Sequence, residues 1–235
     1  MLNENNIYYC HWKSNSHLNK ALEGKTDLDV LVSKNQKKEF ENILDNFSFI
    51  KIITNKFKST FNVYDYLGFD LNTNRLVHLH LHYVVVLGEK YTKNYFLPIE
   101  DLFFKDNIQI DNIKTPNPNL ELLLLIIRMH LKLGLFDILS YFKHKNIFPK
   151  QIMNEFLILN SNFDLDCFKE YIARIGLAKY SEQIIKIKSN IESNRYSILS
   201  CFVNKTFFLK ILKDKKREKG LKYIIKKLYL SVRYF

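Results

Sequence analysis

Two carboxylates stand two residues apart in Gly24-Lys25-Thr26-Asp27-Leu28-Asp29-Val30-Leu31-Val32, a stretch whose apolar half reads as a buried strand. Alternate side chains of a strand share a face, so Asp27 and Asp29 point one way while Leu28, Val30 and Val32 cover the other. Two like charges that close repel, and a cation between them relieves the repulsion. Carboxylate oxygens suit Mg²⁺, or Mn²⁺ in its place; Mg²⁺ keeps several waters and is held through one or two carboxylates plus substrate phosphates. The local chemistry is that of a phosphate-handling metal site. The plainer reading is a strand end whose two aspartates face water.

A second constellation lies downstream. Arg75 to Val86 reads Arg-Leu-Val-His-Leu-His-Leu-His-Tyr-Val-Val-Val, so a strand there puts His78, His80 and His82 on one face and Val77, Leu79, Leu81 and Tyr83 on the other. Neutral imidazole, with an ordinary pKa of about 6.5, serves as a general base near neutral pH. Three imidazoles on one face also suit a transition metal. The alternative is a strand face whose histidines bond to neighbours and water. Leu87-Gly88-Glu89-Lys90 leaves this strand through a glycine; Glu89 is a candidate carboxylate there, Lys90 and Lys93 candidate phosphate contacts, and a solvated loop the alternative for all of them. Asp65 and Asp70 flank a hairpin-like stretch from Asn62 to Arg75 and read as turn formers.

These residues need elements to position them. Ile7 to Trp12 reads as a short strand, Lys13-Ser14-Asn15 as a turn, and Ser16 to Leu22 as a brief helix stopped by Gly24. A hydroxyl-bearing turn at a helix start, followed about a dozen residues later by Asp-x-Asp on a strand, resembles the nucleotidyltransferase superfamily to which DNA polymerase beta belongs. The resemblance implies a nucleoside triphosphate as substrate, a hydroxyl acceptor, Ser14 against the triphosphate, and Asp27 and Asp29 as metal ligands. It implies a third carboxylate on a neighbouring strand, where His80 would stand instead. Lys13 departs from the family's glycine: it adds charge at a phosphate but not the close backbone approach of glycine.

After Pro116 and Pro118 the periodicity becomes helical, with Asn119 placed to cap a helix running past Arg128 and Lys132 to Gly134. Arg128 and Lys132 are four apart and share a helix face. In relatives of the superfamily such a helix offers basic residues to substrate phosphates; a buried helix whose basic side chains reach solvent is the alternative. Further helical patterning covers Pro149 to Leu159, Leu165 to Ile175 and Lys179 to Ile191. Tyr9-Cys10-His11-Trp12-Lys13-Ser14-Asn15, Leu22 to Asp29, His78 to Tyr83 and Leu87 to Lys90 together resemble a bacterial group of nucleotidyltransferase-fold proteins over roughly the first 140 residues. In that group a thymidylate-kinase-like P-loop domain often follows. The sequence contains no Gly-x-x-x-x-Gly-Lys-Ser/Thr motif, so the expectation is a separate thymidylate-kinase-like partner or a module that works alone.

The expected fold is α+β: a nucleotidyltransferase-like mixed sheet with flanking helices over residues 1–115, a helical domain over 116–195 and a basic helical tail over 196–235. At 235 residues and 47% hydrophobic, the sequence has enough apolar material for one generous core, or for a mixed domain plus a helical one. Cys10, Cys167 and Cys201 have no metal-like spacing and fit a reducing cytoplasm. No secretory signal or spanning segment is evident. The net charge of +12 is concentrated in the tail: from Lys205 onward eleven Lys or Arg residues face only Asp214 and Glu218, which places +9 there and +3 elsewhere. Leu221, Ile224, Ile225, Leu228, Tyr229 and Val232 give the tail an apolar stripe. It suits an anionic membrane surface (a membrane-peripheral protein), nucleic acid, a protein partner, or simple closure of the helical bundle.

Overall fold

Alternating polar and apolar residues build one five-stranded sheet, of order β1-β2-β5-β4-β3, from β1 (Tyr9–His11), β2 (Leu28–Val32), β3 (Ile50–Lys51), β4 (Val63–Asp70) and β5 (Arg75–His82). The computed structural model describes residues 2–55, 59–134 and 147–233. The sheet is mixed: β2 runs parallel to β5, and the other neighbouring pairs are antiparallel. Its inner face carries Tyr9, Val30, Val32, Tyr66, Leu79 and Leu81, and α2 (Lys37–Asn46) packs Phe40 and Leu44, four apart on one side of the helix, into the same cluster. α1 (Leu18–Leu22) ends at Gly24, whose φ of +70° is the left-handed conformation that glycine adopts freely.

The expected strand over Arg75 to Val86 divides at Tyr83 and Val84 into β5 and β6 (Val85–Leu87), and β6 pairs with β7 (Tyr95–Leu97). α3 (Glu100–Lys105) and the small hairpin of β8 (Ile108–Ile110) and β9 (Ile113–Thr115) follow. Helices then take over: α4 (Pro118–Leu131), α5 (Lys150–Asn160), α6 (Leu165–Arg174), α7 (Ser181–Glu192), α8 (Ile198–Ile211) and α9 (Leu221–Arg233). The chain is thus α+β, with a mixed sheet, flanking helices and C-terminal helices. It forms two compact units, one of residues 1–85, 97–117 and 228–235, the other of 86–96 and 118–227. No helix among the described residues is long and apolar enough to cross a membrane.

In the second unit α4 is buried on nearly every side, as its unbroken run of leucines and isoleucines requires. Its first helical residue is Pro118, where a missing N–H costs nothing. Asn119, expected as the cap, lies one residue inside: its side-chain oxygen accepts from the Asp164 N–H at 2.9 Å, tying α4 to the start of α6. Glu89 is also corrected. It lies in no solvated loop; its side chain is buried, accepting from Tyr223 at 2.7 Å and Tyr95 at 3.3 Å, with Lys227 at 2.5 Å and Lys216 at 3.5 Å. The turn after Gly88 is tight enough that a Cβ there would sit 1.6 Å from the Thr92 carbonyl oxygen.

Two outcomes follow from this corner. Gly88→Ala should cost about 3 kcal/mol by overpacking, seen as a lower urea midpoint with an unchanged slope. Burial alone would raise the Glu89 carboxyl, but its hydrogen bonds from Lys227 and Tyr223 and the charges of Lys227 and Lys216 bring it from 4.5 down to about 2. The unfolded chain therefore binds this proton more readily, so the contribution is complete above pH 4.5 and is lost as pH falls through 2. Glu89→Gln should unfold more easily than the parent at neutral pH, and the acid-unfolding curves of the two, followed by circular dichroism, should converge toward the acid end.

Candidate metal centre

The outer face of the sheet is built by register. Leu28 pairs with Leu79 and Asp29 with His80 across β2 and β5, while Asp65 pairs with His80 across β5 and β4. One row of the face therefore reads Asp29, His80, Asp65. Exposure rises along β5, from 0% for the His82 side chain to 13% for His80 and 32% for His78. Trp12 closes the buried end, its ring edge-on to His82 at 5.0 Å and to Phe103 at 6.1 Å.

Asp29 is the hub. Its Oδ1 lies 2.7 Å from His80 Nδ1, 2.8 Å from Lys13 Nζ and 3.7 Å from His82 Nε2. His82 Nε2 and His80 Nδ1 are 3.2 Å apart. Burial would raise the Asp29 carboxyl, yet the Lys13 charge and the two imidazoles hold it well below the usual carboxylate range. One ligand atom from each of Asp29, His80 and His82 falls within 4.8 Å of the others, a spacing that suits a shared metal ion. Asp27 and His78 form a neighbouring arrangement, with Asp27 Oδ1 at 2.6 Å from His78 Nδ1 and Asp65 Oδ1 at 3.2 Å from His78 Nε2.

Asp65 was expected to form a turn, and that reading is overturned. It sits in the middle of β4, bonds to His78 and lies 3.9 Å from His80 Nε2. The signal was present: a tight turn that pairs Asp70 with Arg75 forces Asp65 opposite His80 by simple counting along an antiparallel hairpin. Asp70 does form the turn, accepting from the Asn72 N–H at 3.0 Å and the Thr73 hydroxyl at 2.6 Å.

The turn before α1 holds Ser14 at φ 58°, ψ 36°, a left-handed conformation that costs an L-residue roughly 1–2 kcal/mol. Around it, four buried polar atoms have no hydrogen-bond partner in the structure: His11 Nε2, Trp12 Nε1, Ser16 Oγ and His17 Nε2. Lys13, expected at a phosphate, is bonded to Asp29. Arg128, in the second unit, pairs with Glu155 at 2.9 Å, and the Lys132 N–H continues α4 by donating to the Arg128 carbonyl.

The donor set is a test of which ion fits. Two imidazoles with one carboxylate depart from the all-oxygen shell of Mg²⁺ and match Mn²⁺ or Zn²⁺. Asp27, Asp29 and Asp65 set three carboxylates against the Lys13 ammonium, so the face retains negative charge for a divalent ion. At about a hundredfold over its dissociation constant, Mn²⁺ or Zn²⁺ should raise the unfolding temperature by roughly 5–10 °C, and Mg²⁺ by much less. In scanning calorimetry His80→Ala and His82→Ala should each reduce the shift, and the double variant should remove it.

No protein-family model and no curated protein matches this chain. Among solved structures, it is similar to the solution structure of the antibiotic-resistance factor ANT(2'')-Ia, at 7% identity and a TM-score of 0.38, over 82% of this chain and 91% of that one. A likeness of this degree assigns no role to any residue.

Proposed function

We propose that the first unit is a divalent-metal-dependent nucleotidyltransferase that moves a nucleoside monophosphate from a nucleoside triphosphate to a hydroxyl acceptor. The observation that carries this reading is the Asp29, His80 and His82 cluster on the outer sheet face, with Asp27, His78 and Asp65 beside it. Asp29, His80 and His82 would hold the ion, which when bound supplies positive charge to phosphate oxygens. The left-handed Ser14 turn, strained and ringed by unpartnered buried polar atoms, suits a ligand's phosphates. Lys13 would exchange its bond to Asp29 for one to a phosphate. The acceptor oxygen bonds to the α-phosphorus as the bond to the bridging oxygen breaks. Pyrophosphate departs with that electron pair, and Asp65 takes the hydroxyl proton.

One observation favours a second reading, a nucleotide- or partner-binding module without turnover, serving a separate kinase-like protein. The Lys13 ammonium already sits 2.8 Å from Asp29 Oδ1, where it neutralises the carboxylate a metal needs. Calorimetric titration with nucleoside triphosphates in Mn²⁺, run beside a pyrophosphate-release assay, separates the two. Transfer predicts binding and release, both reduced at least tenfold in Asp29→Ala and Asp27→Ala. Binding without release across a panel of alcohols and sugars favours the module, and absence of nucleotide binding removes the transferase and restricts the module to partner binding.

A further inference from the structure

The metal-facing side of the sheet does not end at its histidines. The same alternation that puts Asp65, His78 and His80 on this face continues to Leu67 and Phe69 on β4 and Leu76 on β5. Register makes them neighbours: Leu67 pairs with His78 and Phe69 with Leu76, and Ile50 of β3 pairs with Leu67. Leu67 is 38% exposed, Phe69 52%, Leu76 62% and Ile50 73%. The opposite face of the same strands is packed, with Tyr66 and Leu79 in the core and the Phe49 ring against Gly68. Four large apolar side chains therefore form an open shelf that begins one row from His80 and Asp65. Same-face residues are about 6.7 Å apart along a strand, so from the His80 row to the Phe69 row the shelf reaches about 13 Å.

We infer that this shelf is the acceptor subsite and that the acceptor is an alcohol with an extended apolar body. The inference rests on the nucleotidyltransferase reading and specifies its substrate class. The shelf side chains offer carbon surface and no hydrogen-bonding group, which suits an aliphatic body and leaves the polar edges of a nucleobase or sugar without partners. The polar row at its edge supplies what a single terminal hydroxyl needs: Asp65 for its proton, and the metal cluster for the phosphate it attacks. An apolar chain lying on the four side chains would bring its hydroxyl end to that row.

The test uses the full chain, labelled with ¹⁵N, and 1-octanol as the probe. Titration should shift the backbone amides of residues 65–70 and 76–78. Phe69→Gln and Leu67→Gln, both surface changes, should weaken octanol binding at least tenfold while leaving Mn²⁺ affinity unaltered. Shifts confined to other regions, or none up to the solubility limit of octanol, would overturn the subsite. So would concentration-dependent self-association that protects this face, because the shelf would then be an interface between two copies. A transfer assay with octanol and with glycerol as acceptors separates this inference from the reading beneath it. Octanol binding on the shelf without transfer to either leaves the subsite standing and removes the nucleotidyltransferase. Transfer to octanol no better than to glycerol, and undiminished in Phe69→Gln, keeps the nucleotidyltransferase and overturns the apolar acceptor.

Discussion

The parallel pairing of β2 with β5 is the constraint on which the site depends. It sets Asp29 beside His80, at 2.7 Å between Oδ1 and Nδ1, and by the same register brings Asp27 to His78. A slip of one residue would turn every histidine into the core and every leucine out to solvent. The packed face enforces the register, because Val30, Leu79 and Leu81 belong to one buried cluster with Phe40 and Leu44 of α2. Hydrophobic burial on one side of the sheet thus pays for a set of like charges on the other.

Much of this was legible in period-two patterning. Asp29 on its strand, the three histidines on theirs, the turn at Asp70 and the helix from Pro118 occupy their expected places, while Asp27 stands just before β2 and the histidine strand ends at His82. What the sequence concealed lies in pairings between distant residues. Asp65 looked like a turn residue because aspartate favours turns, and only hairpin counting moves it to the row of His80. Glu89 looked solvated because it follows Leu87-Gly88; its burial depends on Tyr223 and Lys227, more than a hundred residues away. The bond from Lys13 to Asp29 joins two residues whose roles had been read separately.

That bond gives the site its character. With Lys13 in place, the Asp29 carboxylate is held charged and paired in a mostly buried position, and both imidazoles beside it are oriented toward the same oxygen. A divalent ion must compete with the ammonium for that oxygen, and a triphosphate that draws the lysine away would ease the ion's entry. Metal and nucleotide binding would then be coupled, each strengthening the other by the same factor.

The central claim is that Asp29, His80 and His82 hold one divalent ion. Pulsed electron paramagnetic resonance of Mn²⁺ bound to the full chain measures it most directly, because nitrogen coupled to the ion reports imidazole in its inner shell. The account predicts ¹⁴N coupling from two imidazoles, reduced to one in His80→Ala or His82→Ala and lost in the double variant. An inner shell of water and carboxylate oxygen alone, with no nitrogen coupling, would contradict it.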